Sequence, residues 1–369
     1  MSTLSQPRPT ENEIAMRGSG YYNKNSSLQH VGALSAVELF PDLSHKSRLT
    51  LVDYGCSQGA NSIAPIKQLL STLPDGSSAH IIFNDRPYND FSALAATIKQ
   101  HGRELDRNRS LMIFPSMVPI SFYNPVTSPT SVDIGVSWSS FNYLEYQQPL
   151  LPASDLATLV KQRTTRNAKH AHSDLVKLLR LRAAEIKPGG CFIFALGGRV
   201  AGNQSPNAVA QAMMVAIKCM VENGTLTQEQ MIALDPPMYE RSMEECDEAF
   251  TKLAALWTVE RKFERIVAHP AYVLLQEKKA EACGNEAEEI KASREYASIV
   301  VDWIVASFSW FFVKALRAGV DEEEQLKTWT SSEESLLEEF AKMTKEVFLT
   351  SFQDQKVEFC YLYFKLSRN

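Results

Sequence analysis

An excess of positive charge is missing from this 369-residue chain: 38 Lys and Arg stand against 43 Asp and Glu, a net charge of -5. Without a basic footprint, nucleic acid is not an expected partner. Paired cysteines are missing as well. Cys56, Cys191, Cys219, Cys246, Cys283 and Cys360 are scattered with no C-x-x-C spacing, which argues against a zinc module or a disulfide scaffold and points to a reduced, cytoplasmic protein. No histidine has a carboxylate or cysteine partner at ligand spacing, so no metal is expected, and His172 and His269 read as structural or exposed. The most apolar stretch, Ala297 to Val313, is broken by Asp302 and by Ser298, Ser307 and Ser309, so it reads as a buried helix and no membrane is expected. The N-terminus, MSTLSQPRPTENEIAM, lacks the apolar core of a signal peptide and reads as a disordered tail over residues 1–13. There is no internal repeat and no long low-complexity segment.

What is present is ordinary globular material, 44% hydrophobic and 22% charged. From Arg48 to about Ala201 short apolar runs alternate with helix-like segments, the pattern of a parallel α/β sheet covered by helices. RLTLVDYG, SSAHIIFND, SLMIFPSMV, SVDIGVSWSS and GGCFIFALGG are its five predicted strands. Asp174 to Ile186 is an amphipathic helix that stops at KPGG. Beyond Asn203 helical patterns dominate, over Asn207–Asn223, Gln228–Ile232, a charged helix Gln276–Arg294 and an aromatic-rich helix Ala297–Arg317. KFERIVAHPAYVLL returns to strand composition, the acidic group Glu244, Glu245, Asp247 and Glu248 reads as a solvated helix face, and Val357–Lys365 is a closing strand. The expected organisation is an α/β core over 14–203, a mainly helical cap over 204–345 and a return to the core sheet over 346–369.

In LVDYGCSQGAN a strand ends at Asp53 and turns through Gly55 and Gly59 into a helix. Two glycines let a ligand approach backbone, and the helix N-terminus offers free N–H groups to an anionic group, although a plain tight turn would use the same residues. The second strand ends in FNDRPYNDF, which puts Asp85 about thirty residues downstream, where a nucleoside-binding fold wants a carboxylate for two ribose hydroxyls. Asn84, Asp85, Asn89 and Asp90 would equally serve as turn and helix caps.

MRGSGYYNKNSSLQ, VDYGCSQGAN, FNDRPYNDF, PISFY and SVDIGVSWSSFNYL, in that order, resemble the successive motifs of the plant-type carboxyl methyltransferases, the salicylate, benzoate and caffeine-synthase family that uses S-adenosylmethionine. The resemblance runs on through EIKPGGCFIFALGGR and PPMYERSMEE and covers the chain from Met16. It implies a Rossmann-like methyltransferase sheet with helices on both faces and a homodimer. It also implies that Tyr22, Cys56 and Asn61 contact the methionine portion of the cofactor, with Asp53 and Gly55 in the same loop, that Asp85 holds the ribose, that Arg86 lies near the adenine, and that Ser121 and Phe122 bond and stack on it. For the acceptor it implies Gln29 and Tyr143 as donors to a carboxylate, Tyr143 standing where the family has tryptophan. Ser139, Asn142 and Val136 also depart from the family's acceptor residues.

Of the cluster Trp303, Phe308, Trp310, Phe311 and Phe312, one or two residues are expected to touch the acceptor; Trp303 and Trp310 share a helix face, and Trp310 is expected to line the acceptor pocket. With the family histidine positions occupied by Val136 and Asn142, a carboxylate that is already ionised at neutral pH is the expected acceptor on an apolar small molecule. A hydroxyl assisted by Tyr143 or His30, a nitrogen acceptor, or a cofactor-binding partner protein without turnover are the alternatives.

Overall fold

The structure is a computed structural model and describes residues 10–11, 15–105, 110–147, 150, 153, 155–199, 207–319 and 329–369. Seven strands make one sheet: β1 (Arg48–Tyr54), β2 (Ser78–Asp85), β3 (Met112–Pro119), β4 (Val132–Trp138), β5 (Ile186–Gly198), β6 (Trp257–Ala268) and β7 (Glu358–Arg368). Their spatial order is β3-β2-β1-β4-β5-β7-β6. β1 to β5 pair in parallel, and β7 runs antiparallel to both of its neighbours. The five strands predicted from the sequence are the five parallel ones.

Alternation along each strand feeds two cores. Leu49 and Leu51 of β1 join Ile134, Val136 and Ile193 against Ile63 and Ile66 of α3 (Ala60–Leu70). Val52 and Tyr54 face the other way with Phe192, Phe194 and Phe364, under Leu175, Leu178 and Leu179 of α5 (Leu156–Glu185). The first core continues into the cap helices α6 (Ala208–Glu222), α10 (Glu286–Leu316) and α11 (Ser331–Ser351). By length and composition α10 could cross a bilayer. Its apolar side chains, among them Tyr296, Val300, Val301 and Phe312, are instead spent inside the fold.

Several boundaries differ from the sequence reading. The charged stretch expected as one helix over Gln276–Arg294 is divided between α9 (Pro270–Ala282) and α10, because Cys283 and Gly284 take left-handed φ values of 51° and 84°. The strand expected over KFERIVAHPAYVLL ends at Ala268, where His269 and Pro270 start α9. β6 therefore enters the sheet from within the segment expected to be cap, and α11 runs across the expected boundary at 345–346. Thr10 and Glu11 pair with Gln147 and Tyr146, while the rest of the tail 1–13 lies outside the described residues.

Candidate active site

The sheet order reverses between β1 and β4, and beyond the carboxyl ends of the strands lies a cavity of about 270 Å³. This is where an open α/β sheet leaves a crevice for a ligand. After β1 the chain turns at Gly55, whose φ is 81° and where a Cβ would stand 2.3 Å from the Ser140 Cβ. Only glycine meets both demands. The Ser137 and Ser140 hydroxyls donate to the Tyr54 carbonyl at 2.9 and 2.8 Å, joining the ends of β1 and β4.

At the tip of β2 the Asp85 carboxylate accepts from the Ser57 and Arg86 amides at 2.6 and 2.8 Å. Burial nevertheless raises its pKa. Asp53 is fully buried, and among the described residues no donor meets either of its carboxylate oxygens in hydrogen-bond geometry. Burial pushes its carboxyl up to about 7, the nearby Ser62 hydroxyl offsets part of that, and the charge of Asp85 adds to it. Phe122 follows β3 and faces the cavity, with the Arg86 guanidinium 5.9 Å from its ring centre. The segment is held from beneath by buried Arg182 of α5, which donates to the Phe122 carbonyl at 2.9 Å and pairs with Glu185 at 3.0 Å.

The cap end is apolar, walled by Trp303, Ile304, Phe308 and Phe311 of α10 and by Phe359. Gln29, on α2 (Ser27–Leu34), accepts from the Trp303 indole N–H at 2.8 Å through Oε1. Indole nitrogen only donates, so this bond fixes the amide with its NH2 as the remaining donor, and that NH2 has no partner among the described residues. Tyr143 stacks on Phe311 at 6.3 Å and 14°. Burial raises the pKa of its hydroxyl, the Arg86 charge opposes that, and the Asp85 charge reinforces it, so the phenol stays neutral. Tyr22 is raised in the same way, chiefly by burial, with Tyr143 and Asp85 adding to the shift and Asn61 opposing it.

Of the residues read from the sequence, Tyr22, Gly55, Asp85, Arg86, Phe122, Gln29, Ser139, Asn142 and Tyr143 line this one cavity. Asp53, Cys56, Asn61 and Ser121 are not on its wall. Asn61 donates to the Ser26 hydroxyl at 3.0 Å, the Ser121 hydroxyl accepts from the Tyr123 amide at 3.3 Å, and burial holds the Cys56 thiol protonated. Asn142 spends its amide on backbone, donating to the Gly197 and Tyr239 carbonyls at 2.8 and 2.9 Å and accepting from the Gly197 amide at 2.7 Å. Trp310 is not brought to the cavity; it packs on Trp329 with ring centres 6.2 Å apart. The α10 side chains that do reach it are Trp303, Ile304, Ser307, Phe308 and Phe311, set by the 3.6-residue repeat. Glu240 is a further wall residue that the sequence reading did not single out.

A glycine turn, a carboxylate at the tip of the next strand and an aromatic wall, opening into an apolar chamber, define an enzyme that uses a nucleoside cofactor on a small molecule. The chain belongs to the SAM dependent carboxyl methyltransferase family, whose profile matches residues 14–346. It is similar to the methyltransferase LUC1 of Fusarium sp., 30% identical over 97% of this chain and 98% of that one. The O-methyltransferase acrG of Aspergillus aculeatus is 30% identical over 99% and 100% of the two chains. Salicylate carboxymethyltransferase of Clarkia breweri is 24% identical over 66% of this chain and 71% of its own. Loganic acid methyltransferase with SAH superposes with a TM-score of 0.65 at 20% identity over 96% and 98% of the two chains, a likeness of fold. The sheet is thus the Rossmann-like methyltransferase sheet, and the protein is an S-adenosylmethionine-dependent methyltransferase. The residue chemistry fits that cofactor: Asp85, on the cavity wall, would accept from ribose hydroxyls, and the Asp53 oxygens, off the wall and without a hydrogen-bond partner among the described residues, would suit an ammonium group.

Proposed function

We propose that this methyltransferase esterifies a carboxylate of an apolar small-molecule acid. The observation that carries the reading is a pair of donors without partners among the described residues, the Gln29 NH2 and the neutral Tyr143 hydroxyl, in a cavity with no histidine or lysine among its described lining residues. A carboxylic acid, with a reference pKa of about 4, offers lone pairs at pH 7 without a base, whereas a phenol near ~10 must lose a proton. Arg86 adds positive potential to the same cavity. The name of the Clarkia relative supports a carboxyl acceptor, and that of the Aspergillus relative supports transfer to oxygen.

S-adenosylmethionine supplies a methyl group on a positively charged sulfur. In this proposal Asp85 accepts from the ribose hydroxyls, Phe122 on the wall and Ser121 off it hold the adenine with Arg86 beside it, and Tyr22 and Gly55 on the wall, with Asp53, Asn61 and Cys56 off it, make up the methionine end. Gln29 and Tyr143 hold the acceptor carboxylate in line, with Ser139 and Asn142 completing the wall. Positioning and exclusion of water are what these residues contribute. Incubation with methyl-labelled cofactor and a panel of apolar acids tests the proposal. Label released as methanol by mild alkali is expected; label that resists alkali would contradict a methyl ester.

A further inference from the structure

Residues 236–241, between α7 (Gln228–Ala233) and α8 (Met243–Lys252), form an extended strip along the cavity. Its backbone is tied on two sides. Met238 bridges Tyr143 and Arg241 bridges Gly198, and the Tyr239 amide donates to the Asn142 carbonyl at 3.0 Å. Extended chain sends alternate side chains to opposite sides. Pro236, Met238 and Glu240 accordingly line the cavity. Tyr239 turns away and donates its hydroxyl to Glu245 at 2.7 Å, and the Arg241 guanidinium donates to the Phe141 and Ala171 carbonyls at 2.8 Å each.

This register delivers a carboxylate into a chamber walled mostly by apolar side chains. Glu240 receives no hydrogen bond from any described residue, and its side chain is open to the cavity. The side chain stays exposed at the cavity wall; partial desolvation by its surroundings raises its carboxyl, with the Arg199 charge in opposition. Arg199 does not neutralise it, because Arg199 pairs with Glu245 at 2.7 Å and lies over the Tyr239 ring at 4.9 Å. Water satisfies an exposed carboxylate until a ligand enters, and a ligand that displaces that water without donating to it loses affinity. The strip holds this one open toward the space where the acceptor sits.

We propose that Glu240 is the specificity residue of the acceptor chamber and accepts a hydrogen bond from a hydroxyl or N–H group that the acceptor carries apart from its reacting carboxylate. The inference rests on the carboxyl reading above. Glu240 stands two residues along the strip from Met238, which bridges Tyr143, a backbone step of about 7 Å, so it shares the acceptor end of the cavity with Tyr143. The substrate class is then a hydroxylated or amide-bearing apolar acid, and a second carboxylate at the same place is repelled.

The test is a panel of medium-chain fatty acids, each paired with its hydroxy analogues substituted along the chain, with methyl ester formation read as kcat/KM. For the wild type, a preference of about tenfold or more for the hydroxy acid is expected at one spacing. Glu240→Leu should bring that ratio near one while S-adenosylhomocysteine affinity, read by calorimetry, stays unchanged; Glu240→Gln, which keeps an acceptor oxygen, should retain part of the preference. A purely structural role would lower both members of a pair together. Equal use of both members by the wild type, or a preference that survives Glu240→Leu, would overturn the inference alone. Loss of all turnover in Glu240→Leu with cofactor affinity intact would overturn it by assigning Glu240 to the chemistry. No methyl ester from any acid would overturn the carboxyl reading and this inference with it.

Discussion

At Asp53 a carboxyl whose two oxygens have no hydrogen-bond partner among the described residues is buried at the end of β1, and burial lifts it to about 7. An unfolded Asp ionises near ~4. Between those values the folded protein holds a proton that the unfolded chain has shed, so stability falls as pH rises from about 4 to about 7 and levels above. In the proposed site a ligand ammonium would reverse the preference by favouring the ionised form. Affinity for S-adenosylhomocysteine is therefore expected to rise with pH up to about 7, approaching tenfold per unit well below it. Calorimetry checks this against Asp53→Asn, which should flatten Asp53's share of the rise; identical pH profiles in the two proteins would remove Asp53 from the ammonium site. Asp53 and Asp85 were readable because each ends a strand at a turn. The Gln29–Trp303 bond was not, since it joins residues 274 positions apart in the chain. Trp303 and Trp310 share a heptad face in the sequence, and only the packing against Gln29 and Trp329 separates them.

Among the elements, the five parallel strands were legible because each holds an apolar run closed by polar or glycine residues; four of them are largely buried in the two cores, while β3 lies at the sheet edge with its residues exposed or half-buried. The break between α9 and α10 was hidden in a charged stretch whose composition suits one long helix. β6 was only partly visible, since most of its residues are exposed or half-buried at the sheet edge. The strip 236–241 carries no strand pattern in its residue types. It is extended because Asn142 binds it and β5 together. Removing that side chain leaves the Gly197 amide and two carbonyls without these partners in a buried setting. Asn142→Ala is expected to lower unfolding stability by about 2–4 kcal/mol, measurable by urea denaturation. A loss within experimental error would show that the amide does not hold the strip.

For the whole molecule, the sheet supplies the glycine turn and Asp85, the cap supplies apolar walls, and α2, α10 and the chain after β4 meet where the Gln29 and Tyr143 donors line the cavity. The arrangement suits an acceptor that arrives already ionised. Single-turnover methyl transfer at saturating cofactor, followed from about pH 6.5 to 8.5 on an acid the enzyme uses, isolates the chemical step from cofactor binding and product release. The account predicts a nearly flat rate and an alkali-labile product, because a carboxyl of pKa about 4 is ionised throughout that window. A log-linear rise with a slope near one, together with an alkali-stable product, would contradict it and place the methyl group on a hydroxyl.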